Sequence, residues 1–143
     1  MYLFNRSITV NVRSIDSKIL SVDGVFLDSH HELCMTLEVD VESHTITSAT
    51  GEFRRYPHTD CVETQQRINS LIGINLNGNV RKQVQSAVGL KDGCTHLTEL
   101  TIECVKGLMQ ATYQLMNLTM QADEVDELIE QYLAGTCFHY QKS

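Results

Sequence analysis

The stretch Leu33-Cys34-Met35-Thr36-Leu37-Glu38-Val39-Asp40-Val41 alternates apolar and polar residues without a break. Leu33, Met35, Leu37, Val39 and Val41 fall on one face, and Cys34, Thr36, Glu38 and Asp40 on the other. A period of two over this length is the mark of a half-buried β-strand. Glu42-Ser43-His44 follows as a polar turn, and a further strand is expected from about Thr45 to Arg55. Upstream, Ile8, Val10 and Val12 alternate with Thr9, Asn11 and Arg13. Another strand reads from about Ile19 to Leu27, with Asp23-Gly24 as a bulge or bend. Four strands with short connections form an antiparallel meander.

Beyond Pro57 the period becomes helical. Asp60 is placed to cap a helix reaching about Leu71, with Ile68, Leu71 and Ile72 as its apolar contacts and Gly73 as its stop. Asn77-Gly78-Asn79 makes a turn. Val80, Val84 and Val88 then mark a short helix ending at Gly89. The longest helix runs from about Thr95 to Asn117, with the stripe Leu97, Leu100, Cys104, Leu108, Ala111 and Leu115. A last helix covers about Asp123 to Leu133, with Val125, Leu128, Ile129 and Leu133 inward. Its acidic start suits the helix dipole, and Gly135 ends it. Strands first and helices afterwards predict an α+β fold, with helices on one face of the sheet and a single domain over residues 1–143.

The chain has 143 residues, 42% hydrophobic and 20% charged, an ordinary globular balance. Asp and Glu number 18 against 11 Lys and Arg, for a net charge of −7. An acidic surface of this kind excludes a nucleic-acid partner, because phosphate contacts need clustered cations. Arg54-Arg55 and Arg81-Lys82 read as solvated pairs. No apolar run reaches the roughly 18 residues that span a bilayer, so no membrane partner is expected. The first residues lack the pattern of a signal peptide. Five cysteines show no disulfide framework, which points to reduced thiols in the cytoplasm. Oligomeric state is not legible, and a protein partner stays open.

One constellation carries chemistry. His31 enters the third strand and Cys61 follows the fourth, so an antiparallel hairpin puts both at one end of the sheet. Cys94 and His96 open the long helix. If that helix starts over the same end, His31, Cys61, Cys94 and His96 form a four-ligand set. Thiolate and imidazole are the ligands that zinc and iron–sulfur clusters select. Gly93 permits a tight backbone before Cys94, and a helix N-terminus stabilises a thiolate. Side chains two apart on a helix diverge by about 200°. Cys94 must therefore lie in the loop and His96 in the first turn if they share an ion.

The other candidates have plainer readings. Cys104 belongs to the core stripe, and Cys34 packs half-buried. His44 is a turn residue, His30 competes with His31, and His58 lies beside the set. Cys137 and His139 sit in the tail. Two alternatives to a metal or iron–sulfur accessory protein stay open. One is a small thiol enzyme, such as a sulfur-transfer enzyme, with Cys94 or Cys61 as nucleophile and His96 as base. The other is an interaction module with inert cysteines.

Gly93-Cys94-Thr95-His96-Leu97-Thr98-Glu99-Leu100 resembles the hallmark of a bacterial family of small proteins classed as a domain of unknown function. Asp23-Gly24, Asp28, His31-Glu32, Pro57 to Cys61, Leu71 to Gly73 and Cys137 extend the resemblance over nearly the whole chain. It implies no established activity. More distantly, the chain resembles iron–sulfur cluster assembly scaffolds of the IscU/NifU type and the SufE/NifU-like fold. That resemblance implies ligands at the entry of one strand, the end of the next and the start of the long helix. The scaffolds' first cysteine would fall near Ser29 or His30, and their His-Cys pair is inverted here.

Overall fold

The computed structural model describes residues 1–141. Strands β1 (Arg6–Ser14), β2 (Ile19–Asp28), β3 (Glu32–Asp40) and β4 (Thr45–Arg55) form one antiparallel sheet in the order β1-β2-β3-β4. The register aligns the apolar sets. Leu37 faces Val22 on β2 and Ala49 on β4, and Leu33 faces Phe26 and Phe53. All of these are buried, so the alternation quoted above puts one continuous apolar face toward the core.

The second half is helical, as an α+β chain requires. A 3₁₀ segment, Thr59–Leu71, leads to α1 (Val80–Val88), a short 3₁₀ turn at Leu90–Asp92, α2 (Thr95–Thr119) and α3 (Ala122–Leu133). Among the described residues no helix is long and apolar enough to cross a membrane. The chain divides into two compact units, the first spanning Met1–Leu108 and the second starting at Met109.

In the first unit, α2 buries Leu97, Leu100, Thr101, Cys104, Val105 and Leu108. It lies close on the sheet. A Cβ at Gly24 would collide with Cys104 Sγ, and one at Gly107 would stand 2.6 Å from Val10 Cγ1. Asp23-Gly24 is therefore no bulge, since both residues pair in register with β1 and β3. The glycine is there to admit the helix. The irregular steps lie between β3 and β4, at Glu32/Leu33 and Glu38/Val39.

The segment after Pro57 also departs from expectation. It is a 3₁₀ helix rather than an α-helix, and Asp60 lies inside its first turn. The residue before it is His58, which makes no side-chain cap. Only Ile68 and Leu71 are buried along it, so it offers no broad apolar stripe, and Ile72 is half-exposed. Gly73, at φ 91°, ends it as expected. Asn79 caps α1 by accepting from the Lys82 amide at 3.1 Å.

The second unit holds the end of α2, then α3 and the tail. Of the four residues expected inward on α3, Val125 is buried, Ile129 and Leu133 are half-buried and Leu128 is exposed. Asp123, Glu124, Asp126, Glu127 and Glu130 leave α3 only a narrow apolar stripe. Tyr113 and Tyr132 meet edge to face, with ring centroids 6.1 Å apart.

Candidate metal centre

The turn from β2 to β3 is organised by Asp28. Its Oδ1 accepts the backbone amides of His30 and His31, each at 2.8 Å. An aspartate bonding the amides two and three residues on is the local device that closes such turns. Arg55 fixes the same turn from outside, because β3–β4 pairing places it opposite Glu32. Its Nη2 donates to the carbonyls of Asp28 (2.6 Å) and His31 (3.3 Å), and its Nη1 to that of Ser29 (3.3 Å).

The side chains above this turn form a polar cluster, with Asp28 buried, His31 half-buried and Arg6 exposed at its rim. His31 Nδ1 lies 2.9 Å from Asp28 Oδ1. Arg6, paired with Asp28 across β1 and β2, brings Nη2 to 3.4 Å from Asp28 Oδ2 and Nη1 to 3.2 Å from Glu99 Oε2. Its guanidinium lies 4.8 Å over the Phe26 ring. Asp28 is only 3% exposed. Burial by itself would raise its pKa. The amides of His30 and His31 and the His31 ring outweigh that and hold the carboxyl well below its ordinary range.

The start of α2 completes the cluster. A side chain at Gly93 would collide with the Val88 carbonyl, and the Cys94 amide donates to that same oxygen at 2.8 Å. Cys94 stands just outside the helix, its carbonyl accepting from the Thr98 amide at 3.0 Å. His96 is in the first turn, which is the split that a shared ion requires. The backbone amides of Leu97 and His96 favour the charged form of Cys94, whose sulfur lies 3.9 Å from His96 Nδ1. Burial nonetheless pushes the Cys94 thiol up, and a charge on Cys61 would push it further. The His96 ring packs 3.8 Å from that of His31, tilted by 33°, and 5.1 Å from Phe26. Burial, then the charges of His31 and Arg6, holds His96 below its ordinary value of 6.5.

Of the four residues singled out by sequence, His31 and His96 thus meet. Together with Asp28 their ligand atoms all lie within 4.8 Å of one another. Cys94 touches His96 but stands outside that set. Cys61, half-buried in the 3₁₀ segment, is a neighbour of Cys94 through its charge. Elsewhere, Cys34 lies on the far face of the sheet, where burial raises its pKa against the pull of Arg54. Cys104 is in the core and pushed up to about 12 by burial. Cys137 is exposed. Sequence reading assigned no role in the site to Asp28, Arg6 or Arg55. Asp28 carries a local signal, an aspartate at a strand end followed by Ser-His-His. The two arginines carry none, since they reach the turn only through strand register.

No curated protein and no solved structure matches the chain. A family model does, across the whole sheet, the candidate centre and the first half of α2. Its match covers residues 4–110, and the chain belongs to that family, described as Protein of unknown function (DUF2889).

Proposed function

We propose that this protein binds one divalent metal ion, zinc or iron, at the end of the sheet, and serves as an accessory or scaffold protein. The observation that carries this reading is the convergence of Asp28, His31 and His96 within 4.8 Å. Two imidazoles with carboxylate and thiol groups beside them suit zinc and iron better than magnesium or calcium, which prefer all-oxygen sites. Cys94 adjoins His96 at 3.9 Å, and Cys61 lies within charge range of Cys94. An iron–sulfur cluster is usually held by four cysteines. The His-rich centre therefore favours a single ion over a cluster, whatever the likeness to assembly scaffolds. A net charge of −7 keeps nucleic acid out of this reading.

The test is the metal content of the natively purified protein, by mass spectrometry, for wild type, His96→Ala and Cys94→Ser. About one ion per chain, lost in His96→Ala, supports the site. No ion after anaerobic reloading with zinc or iron overturns it.

The 3.9 Å contact between Cys94 Sγ and His96 Nδ1 favours a second reading, thiol chemistry such as sulfur transfer. Against it, burial raises the Cys94 thiol and lowers His96, so the resting pair is neutral. A neutral thiol is a poor nucleophile. Fast alkylation of Cys94 or Cys61 at neutral pH in metal-free protein would restore this alternative. No fast-reacting thiol and no metal would leave the inert interaction module.

A further inference from the structure

We infer that Asp28 is not a ligand of the ion but the positioning residue that presents His31 to it, and that the Cys94 thiolate supplies the third protein ligand. This deepens the metal reading above and rests on it.

Asp28 has little left to give an ion. Its Oδ1 already takes three donors, the amides of His30 and His31 and the His31 ring nitrogen Nδ1. Its Oδ2 faces the Arg6 guanidinium at 3.4 Å. A carboxylate accepting from Nδ1 keeps the ring proton on that nitrogen. Nε2 then carries the free lone pair. Carboxylate, imidazole and metal in that sequence are the usual outer support of a histidine ligand, fixing both tautomer and ring orientation. Arg55, holding three carbonyls of the same turn, keeps the carboxylate and ring in register.

With Asp28 in that role, His31 and His96 provide two nitrogens and a third donor is needed. Cys94 Sγ stands 3.9 Å from His96 Nδ1. A nitrogen at about 2.05 Å and a sulfur at about 2.3 Å on one tetrahedral zinc ion are roughly 3.6 Å apart. The pair is therefore within a few tenths of an ångström of ligand spacing. The sulfur stands outside the Asp28–His31–His96 set, so on this assignment metal binding draws it in alongside His96. At the start of α2 the amides of Leu97 and His96 would stabilise the sulfur as a thiolate. On binding, a metal–sulfur bond replaces the S–H bond, and one proton passes to solvent.

Cobalt(II) added to the metal-free full-length protein reads the ligands directly. Wild type is expected to bind one cobalt with a thiolate-to-cobalt charge-transfer band in the near ultraviolet, and Cys94→Ser to lose that band. Asp28→Asn is expected to keep the band while binding roughly 10–100-fold more weakly. Nitrogen-15 NMR of metal-free wild type is expected to show His31 protonated on Nδ1, which needs no variant that might misfold. Cobalt binding without the band overturns the thiolate assignment. Binding retained in Cys94→Ser but abolished in a folded Asp28→Asn overturns the positioning role and makes Asp28 the ligand. Absence of any cobalt binding by wild type overturns the metal reading itself.

Discussion

Two turns at opposite ends of the sheet use the same hydrogen-bonding device with different results. Between β3 and β4, Asp40 Oδ1 accepts the amide of Ser43 at 2.7 Å and its hydroxyl at 2.8 Å. Between β2 and β3, Asp28 Oδ1 accepts two amides at 2.8 Å. Both carboxyls are held below their ordinary pKa. At Asp40 the main cause is the Ser43 hydrogen bonds, and burial opposes them only weakly. At Asp28 burial is the largest influence and opposes ionisation, yet the His30 and His31 amides and the His31 imidazole overcome it. A hydrogen-bonded aspartate is an ordinary way to close a turn. The candidate site comes from enclosing it and surrounding it with a second imidazole and a thiol.

The largest effect expected from this contrast is on stability. Asp28→Ala removes the partner of Arg6, of the His31 ring and of two amides, in a place where water cannot fully replace it. Each buried polar group left unpaired costs about 1–3 kcal/mol, so a loss of about 3 kcal/mol is expected in urea denaturation. Asp40→Ala, in an open turn, is expected to cost clearly less. Equal losses would mean that the two turns differ in appearance only.

Acid dependence sharpens the same contrast. Asp28 has a folded pKa below the unfolded value of 3.8, so its contribution is complete above that value and is lost as pH falls through the folded one. His96 is also depressed, because burial disfavours its charged form. It favours folding fully above the unfolded value of 6.5 and progressively less as pH falls below it. Metal-free protein should therefore lose stability in two stages, one below about pH 6.5 and one below about pH 4. His96→Gln should flatten the first stage and Asp28→Asn the second. A profile unchanged in both variants would sink the assignment.

How much of this was legible in the sequence follows from the range of the interactions. The alternation in Leu33–Val41 and the stripe from Leu97 to Leu108 are local periodicities, and the sheet and α2 follow them. His31 and Cys61 could be put at one end of the sheet because hairpin geometry fixes which end each strand terminus occupies, whereas bringing His96 to His31 depended on the direction of α2. The direction of α2 was not fixed by pattern, and its placement depends on the contacts at Gly24 and Gly107, far apart in sequence. Those contacts also account for the glycine in Asp23-Gly24, which reads from sequence as a bulge or bend. Arg54-Arg55 looked like one solvated basic pair. Register separates the two, turning Arg55 onto the carbonyls of the Asp28 turn and leaving Arg54 among Glu32 and Glu52.

That separation gives a smaller effect. Arg55 reaches three carbonyls with a planar fork that lysine cannot reproduce. Arg55→Lys should cost about 1 kcal/mol, seen as a melting-temperature decrease of a few degrees. Arg54→Lys should leave the melting temperature unchanged. A larger loss at Arg54 than at Arg55 would contradict the division of labour between these neighbours.

The smallest expected effect returns to the two turns and concerns their backbones. At the Asp40 end the chain reverses through His44 at φ 53°, a left-handed conformation unfavourable for a residue with a Cβ. Among the described residues that conformation occurs outside glycine at His44 and Leu90, and nowhere in the Asp28 turn. Glycine at His44 would relieve that cost while adding freedom to the unfolded chain, and the first outweighs the second where φ is positive. Glycine at Ser29 has no such cost to relieve and only adds unfolded-state freedom. His44→Gly should therefore stabilise by a few tenths of a kcal/mol, and Ser29→Gly should destabilise by roughly 0.5–1 kcal/mol. Opposite signs in paired urea titrations would show that the site end is held by side chains on a relaxed backbone. The same sign at both would mean that the left-handed backbone at His44 does not distinguish the two turns.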